Sequence, residues 1–186
     1  MIVTTTPRLI IRAFNDKDAS ALFDYLSSPR TPCFQDEKLN SLEEAKDEVR
    51  KRARDASQFA VCLKENDGVI GYLFADNAEE PDRNTWSVGW HFNQRYEGMG
   101  YATESVAALF NYLFSEKQAR RLYAYVEDYN FGSQRLCDRL HMRQEGCFKE
   151  FVSFRTEEGE ERYDNTFVYA ILKKDWESNR LTCPQD

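Results

Sequence analysis

Gln94-Arg95-Tyr96-Glu97-Gly98-Met99-Gly100-Tyr101-Ala102 separates two segments of different period. Before it, TWSVGWHF (85–92) alternates. Trp86, Val88, Trp90 and Phe92 share one face, expected to be core, and Ser87, Gly89 and His91 share the other, as in a strand. After it, Ala102, Val106, Phe110 and Leu113 recur at helical spacing. The quoted stretch is therefore a strand-to-helix turn. Gly98 and Gly100 let its backbone enter conformations closed to residues with a side chain. Successive N–H groups can then face one concavity at the positive end of the helix, a place for a diphosphate. Arg95 is positioned to add a cationic contact. Two other phosphate loops do not fit. A Walker A loop needs Gly-Lys-Ser/Thr, but Tyr101-Ala102 follow Gly100; the dinucleotide fingerprint needs Gly or Ala where Thr103 stands. On spacing alone, a tight turn with a glycine helix start remains the alternative.

Working outward, LIIRAF (9–14) reads as a short strand, and Asn15 with Asp18 as the cap of a helix carrying Ala21, Leu22, Tyr25 and Leu26 on one face. SPRTPCFQDEKLN (28–40), with two prolines, reads as a loop. Ser41 and Glu44 form a capping-box pattern ahead of a second helix with a Leu42, Ala45, Val49, Ala53 stripe. FAVCL (59–63) and VIGYLF (69–74) flank a hairpin turn at 65–68. Beyond the central helix come a strand, LYAYV (122–126), and a short helix at 130–141. Two strands follow near 147–154 and 163–172, joined by TEEGEE. The order predicts an α/β (α+β) fold with a mixed central sheet of about seven strands flanked by about four helices. One domain is expected over 1–186, its core at about 6–176 and a short tail at 177–186.

The chain's 186 residues are 41% hydrophobic and 14% aromatic, enough for a sizeable core. Its formal charge of -7 disfavours nucleic acid or an anionic membrane as partner and tolerates a cationic substrate. No apolar run approaches membrane-spanning length, and no signal peptide is recognised at the start. Five widely spaced cysteines without C-x-x-C, and two histidines, suggest free thiols in a reducing cytoplasm and no metal site.

Arg95-x-x-Gly98-x-Gly100 resembles the R/Q-x-x-G-x-G/A signature of the GCN5-related N-acetyltransferases (GNAT). Val88-Gly89-Trp90, followed by Tyr96 through Glu104, resembles the ribosomal-protein N-acetyltransferase (RimJ/RimL-like) subfamily. Asn130-x-x-Ser133, Tyr163-Asp164 through Lys174-Asp175-Trp176, and the opening Pro7-Arg8-Leu9 with Ile11-Arg12 match in order. The resemblance spans about residues 6–176. It implies acetyl-CoA as cofactor, bound through Phe92, Asn93, Arg95, Tyr96, Glu97, Gly98, Met99, Gly100, Tyr101, Ala102, Asn130 and Ser133. It also implies that the 88–93 strand splays from its neighbour and pairs its backbone with the pantetheine arm. The implied reaction is direct attack of a neutral amine on the thioester, with a strand N–H steadying the oxyanion and no metal.

Ser133 and Asn130 are the candidate catalytic residues. The chain departs from the family where a glutamate and a tyrosine often serve as base and acid. Ser87 and Cys137 occupy those positions, leaving a water relay, or no acid–base group at all where substrate positioning carries the rate. Cys137 is expected to be a small core residue rather than a nucleophile, and Glu104 a first-turn acid favoured by the helix dipole. His91 is either a structural histidine or a group reaching the substrate channel. The resemblance points to a protein N-terminal α-amine as acceptor. A polyamine, an aminoglycoside, or a non-catalytic role in binding acyl-CoA are the alternatives. Acceptor contacts are sought among Asp24, Tyr25, Asp36, Glu37, Phe151, Phe154 and Asp164, the last more simply a solvated strand-end carboxylate. A homodimer through the C-terminal strands is also expected.

Overall fold

The computed structural model describes residues 1–29, 37–77, 83–155 and 160–182. Cys33, Asp36 and Cys183 lie outside them, as does most of the TEEGEE turn. Eight strands and five α-helices occur among the described residues, one of each more than predicted. The strands are β1 (Ile2–Thr5), β2 (Leu9–Arg12), β3 (Gln58–Leu63), β4 (Val69–Asn77), β5 (Thr85–Phe92), β6 (Arg121–Glu127), β7 (Arg143–Arg155) and β8 (Glu161–Leu172). The helices are α1 (Ala19–Leu26), α2 (Leu42–Arg54), α3 (Tyr101–Ser115), α4 (Phe131–Arg139) and α5 (Lys173–Thr182). The mixed sheet runs β1-β2-β3-β4-β5-β6-β8-β7. The additional strand is β1, whose β-branched residues carry no apolar alternation. The additional helix is α5, a half-charged segment of which Trp176 is the buried anchor.

The chain divides into two compact units. The first comprises Met1–Asp76 and Gly89–Tyr112. Its strands β1 to β4 pair antiparallel, with Ile11 opposite Val61 and Val61 opposite Gly71. Phe14, Leu22, Tyr25, Leu26, Ala45, Val49, Ala60 and Tyr72 form one buried cluster. Full burial of each such apolar side chain contributes roughly 1.5–3 kcal/mol. The cap expected at Asn15 is a capping box with Asp18, around a 3-10 turn (Asp16–Asp18) that leads into α1. Buried Arg12 holds Asp18 with two hydrogen bonds of 2.8 Å. Ser41 caps α2 by accepting from the Glu44 N–H at 3.1 Å, while the Glu44 carboxylate accepts from Asn40 rather than from Ser41. The 65–68 segment is the expected hairpin turn, with Leu63 N–H bonded to the Gly68 carbonyl.

The second unit comprises Asn77–Val88 and Leu113–Asp186. Here β6 and β7 flank β8, both antiparallel to it. The β5–β6 ladder is parallel and covers only Thr85–Ser87, ending at Ser87 opposite Tyr123, although β6 continues to Glu127. Leu113, Leu122, Ala124, Val126, Leu136, Cys137 and Ile171 are buried. The Phe114 and Trp176 rings lie 6.3 Å apart.

Candidate active site

The quoted turn closes in two stages. Asn93, 7% exposed, donates its N–H to the Ile70 carbonyl and accepts from the Arg95 N–H with its side chain. This starts a single 3-10 turn, Gln94–Tyr96, closed by Tyr96 N–H to Asn93 and Glu97 N–H to Gln94. Gly98 and Gly100 then adopt φ of 77° and 80°, in the left-handed region glycine tolerates. After them α3 begins. The N–H groups of Gly98, Met99, Gly100, Tyr101 and Ala102 have no acceptor among the described residues. A side-chain carbon placed on Gly98 meets nothing within 4 Å, so the space before these donors is open. Five successive donors at the start of a fifteen-residue helix, in an open exposed turn, fit a diphosphate.

Arg8 is the cation that sequence reasoning left out of the site. Its Nη1 donates to the Met99 carbonyl at 3.0 Å, and its guanidinium carbon lies 4.4 Å from the Tyr101 ring centroid. Glu104 accepts from Thr6 Oγ1 at 2.5 Å, the Arg8 N–H at 3.1 Å and Arg8 Nε at 2.6 Å. Burial pushes the Glu104 carboxyl up, but these bonds outweigh it and leave it below its usual range. Glu104 is thus more than a first-turn acid. Only the opening Pro7-Arg8-Leu9 match hinted at Arg8. Arg95, expected to face the phosphate, is paired with Asp24 at 3.0 Å and remains 72% exposed. Tyr96 and Tyr101 stack edge-on at 6.3 Å, while Glu97 and Met99 are exposed.

The faces of β5 depart from expectation. Val88 is buried, but Trp86, Trp90 and Phe92 are only half-buried rather than core. Glycines on the strand faces make way for rings. A Cβ on Gly71 would stand 2.6 Å from Phe92 Cδ1, and one on Gly89 would stand 2.0 Å from Phe74 Cε1. His91 sits edge-on to Tyr25 and Tyr72, with ring centroids 5.4 and 5.6 Å away. Burial lowers its pKa to about 4, so it is neutral at physiological pH. Tyr72 and Arg52 both bond Glu37, at 2.6 and 2.8 Å, which commits that carboxylate to a structural network.

In the second unit, Asn130 caps α4 by accepting from the Ser133 N–H at 3.1 Å. The two predicted catalytic residues therefore share one cap, and Ser133 is half-buried. Cys137 is fully buried, and burial pushes its thiol up to about 12, removing it as a nucleophile. Asp164 corrects the sequence reading. It is 6% exposed rather than solvated, and it lies within the β7–β8 ladder opposite Val152. Phe151 is 54% exposed. Phe154 lies on β7 opposite Arg162. Cys62, Cys137 and Cys147 are free thiols. No helix among the described residues is long and apolar enough to cross a membrane.

A mixed sheet with an open two-glycine turn ahead of a helix is the arrangement that the sequence resemblance implied for an N-acetyltransferase. The chain belongs to the GNAT acetyltransferase family, whose domain model matches residues 8–143. It is 35% identical to the N-acetyltransferase YnaD of Bacillus subtilis (strain 168), over 92% of this chain and 98% of that protein. An acetyltransferase (GNAT family) from Bacillus anthracis superposes with a TM-score of 0.81 at 28% identity, covering 94% of this chain and 99% of the other. The ribosomal L7/L12 alpha-N-protein acetyltransferase RimL, solved with coenzyme A, shares the fold. Its TM-score is 0.73 at 20% identity, covering 92% and 98% of the two chains.

Proposed function

We propose that this chain moves an acetyl group from acetyl-CoA directly to a primary amine, the α-amine of a protein N-terminus. The observation carrying this reading is the row of free N–H donors from Gly98 to Ala102, open to solvent and backed by the α3 dipole. These donors hold the diphosphate, with Arg8 beside them and Asn93 keeping the turn closed. Acetyl-CoA supplies the activated thioester. The β5 backbone beyond Ser87, past the end of its parallel ladder, receives the pantetheine arm, and one of its N–H groups steadies the oxyanion. Asn130 orders the start of α4, so that the Ser133 hydroxyl stands as the polar group for the thioester end. The buried, high-pKa Cys137 thiol supports direct transfer over a cysteine-bound intermediate. The α-amine assignment draws on the likeness to the alpha-N-protein acetyltransferase. We also propose a cytoplasmic homodimer.

Calorimetry with acetyl-CoA tests the binding step, and release of free CoA on mixing with amines tests the transfer. Binding without CoA release from any amine indicates an acyl-CoA-binding module. Turnover of spermidine or an aminoglycoside with none of a peptide overturns the protein N-terminus as acceptor. No heat and no thermal stabilisation at millimolar acetyl-CoA overturns the reading as a whole.

A further inference from the structure

Asp24, on α1, reaches the two-glycine turn with a single oxygen. Its Oδ2 accepts from Asn93 Nδ2 at 3.0 Å and lies 3.0 Å from Arg95 Nη1. Asn93 in turn accepts from the Arg95 N–H with its Oδ1 at 3.1 Å. All three residues belong to the first unit.

The two contacts on Asp24 differ in kind. Asn93 is buried, and both ends of its amide are used, one on Asp24 and the other on the turn. A carboxylate only accepts, so it fixes which end of that amide faces the Arg95 N–H. The Arg95 side chain is 72% exposed and touches Asp24 through one nitrogen. Its Nε and Nη2 have no acceptor among the described residues. An exposed pair with one contact is weak, so Arg95 leaves Asp24 at little cost, whereas Asn93 does not.

The place of Arg95 in the chain gives it a second partner. It lies in the 3-10 turn directly ahead of the N–H row from Gly98 to Ala102. A diphosphate on that row carries more charge than one carboxylate and offers a guanidinium a two-point contact. Asp24 and the diphosphate therefore compete for one cation.

We propose that Asp24 is a positioning residue for the cofactor turn. It holds Asn93 before and after binding, and it gives up Arg95 to the diphosphate when acetyl-CoA binds. This rests on the acetyl-CoA-dependent reading proposed above and adds a control on affinity to it. Before binding, Asp24 keeps Arg95 neutralised beside the turn. After transfer it takes Arg95 back, so that CoA leaves faster than from a turn whose arginine has no other partner.

Asp24→Asn isolates the charge, because its amide oxygen still accepts from Asn93. Calorimetry with coenzyme A, which has no acetyl group to transfer, reads affinity, and stopped-flow displacement reads release. Asp24→Asn should bind coenzyme A about threefold tighter than the parent, through slower release, at an unchanged melting temperature. Arg95→Met should bind it about fivefold more weakly. Adding Asp24→Asn to Arg95→Met should bring no gain. Dephospho-coenzyme A, which keeps the diphosphate and lacks the 3′-phosphate, should show the same gain in Asp24→Asn. Asp24→Asn that binds coenzyme A like the parent, or more weakly, overturns the exchange. So does a gain that persists in the Arg95→Met background, because the carboxylate then acts on the cofactor by its field alone. A gain absent with dephospho-coenzyme A overturns the diphosphate as the second partner of Arg95. If Asp24→Asn melts well below the parent, Asp24→Ser, which also keeps an acceptor for Asn93, decides by the same criteria. A parent chain that does not bind coenzyme A overturns the proposed function and the exchange with it, whereas the variants bear on the exchange alone.

Discussion

Glu104 in the first turn of α3 grips Arg8, ninety-six residues earlier, through both the Arg8 backbone N–H and its guanidinium. The same guanidinium reaches the Met99 carbonyl. Glu104 thereby fixes a cation beside the turn proposed to hold the diphosphate. Glu104→Gln should weaken acetyl-CoA binding about fivefold, on the order of 1 kcal/mol. Arg8→Ala should weaken it at least as much. Because Arg8 is half exposed, global stability should change little. Calorimetry and a thermal melt on each variant separate the two effects.

Gly98 isolates backbone strain from steric clash. Its added Cβ meets nothing within 4 Å, yet its φ is 77°. Gly98→Ala should leave the melting temperature nearly unchanged if the turn shifts out of that conformation. Acetyl-CoA affinity should then fall about five- to thirtyfold, since about 1–2 kcal/mol opposes the binding geometry. Undiminished affinity in calorimetry contradicts the role assigned to the turn.

Gly89 makes the opposite case. Its Cβ would stand 2.0 Å from a ring carbon of Phe74, so Gly89→Ala should destabilise the fold by about 1–3 kcal/mol through overpacking. Adding Phe74→Leu should recover part of that loss. Chemical denaturation of the single and double variants measures both.

His91 links stability to pH. Burial lowers its folded pKa to about 4 from an ordinary 6.5. Between these values the unfolded chain binds a proton that the folded chain does not. Its contribution is therefore complete above pH 6.5 and declines as pH falls towards 4. His91→Asn should flatten that part of the stability curve, read by denaturation at several pH values. In the parent protein, the His91 imidazole should remain neutral by NMR at pH 6.

The local features of this protein were legible in the sequence because their causes are local. Alternation marked β5, the spacing of Ala102, Val106, Phe110 and Leu113 marked α3, and the glycines between them marked the turn. Asn15 and Ser41 announced their helices within four residues. Cys137 was read as core from its place on a short helix. β1 and α5 escaped because neither carries a strong period: one is four β-branched residues, the other a charged segment anchored by Trp176.

Tertiary structure decided which side chains those elements bring together. Arg8 enters the turn only because β1 and β2 bring it to Glu104, a separation no sequence spacing encodes. Trp86, Trp90 and Phe92 have the alternation of a buried face, but their exposure depends on what packs against that face, and they remain half-buried. Asp164 looks like a strand-end acid in one dimension and is buried in three, while a bulge at Glu150 moves Phe151 beside Phe148. Backbone period and turn chemistry are set by residues within a few positions of one another. Burial, charge pairing and register are set by segments that meet only after folding.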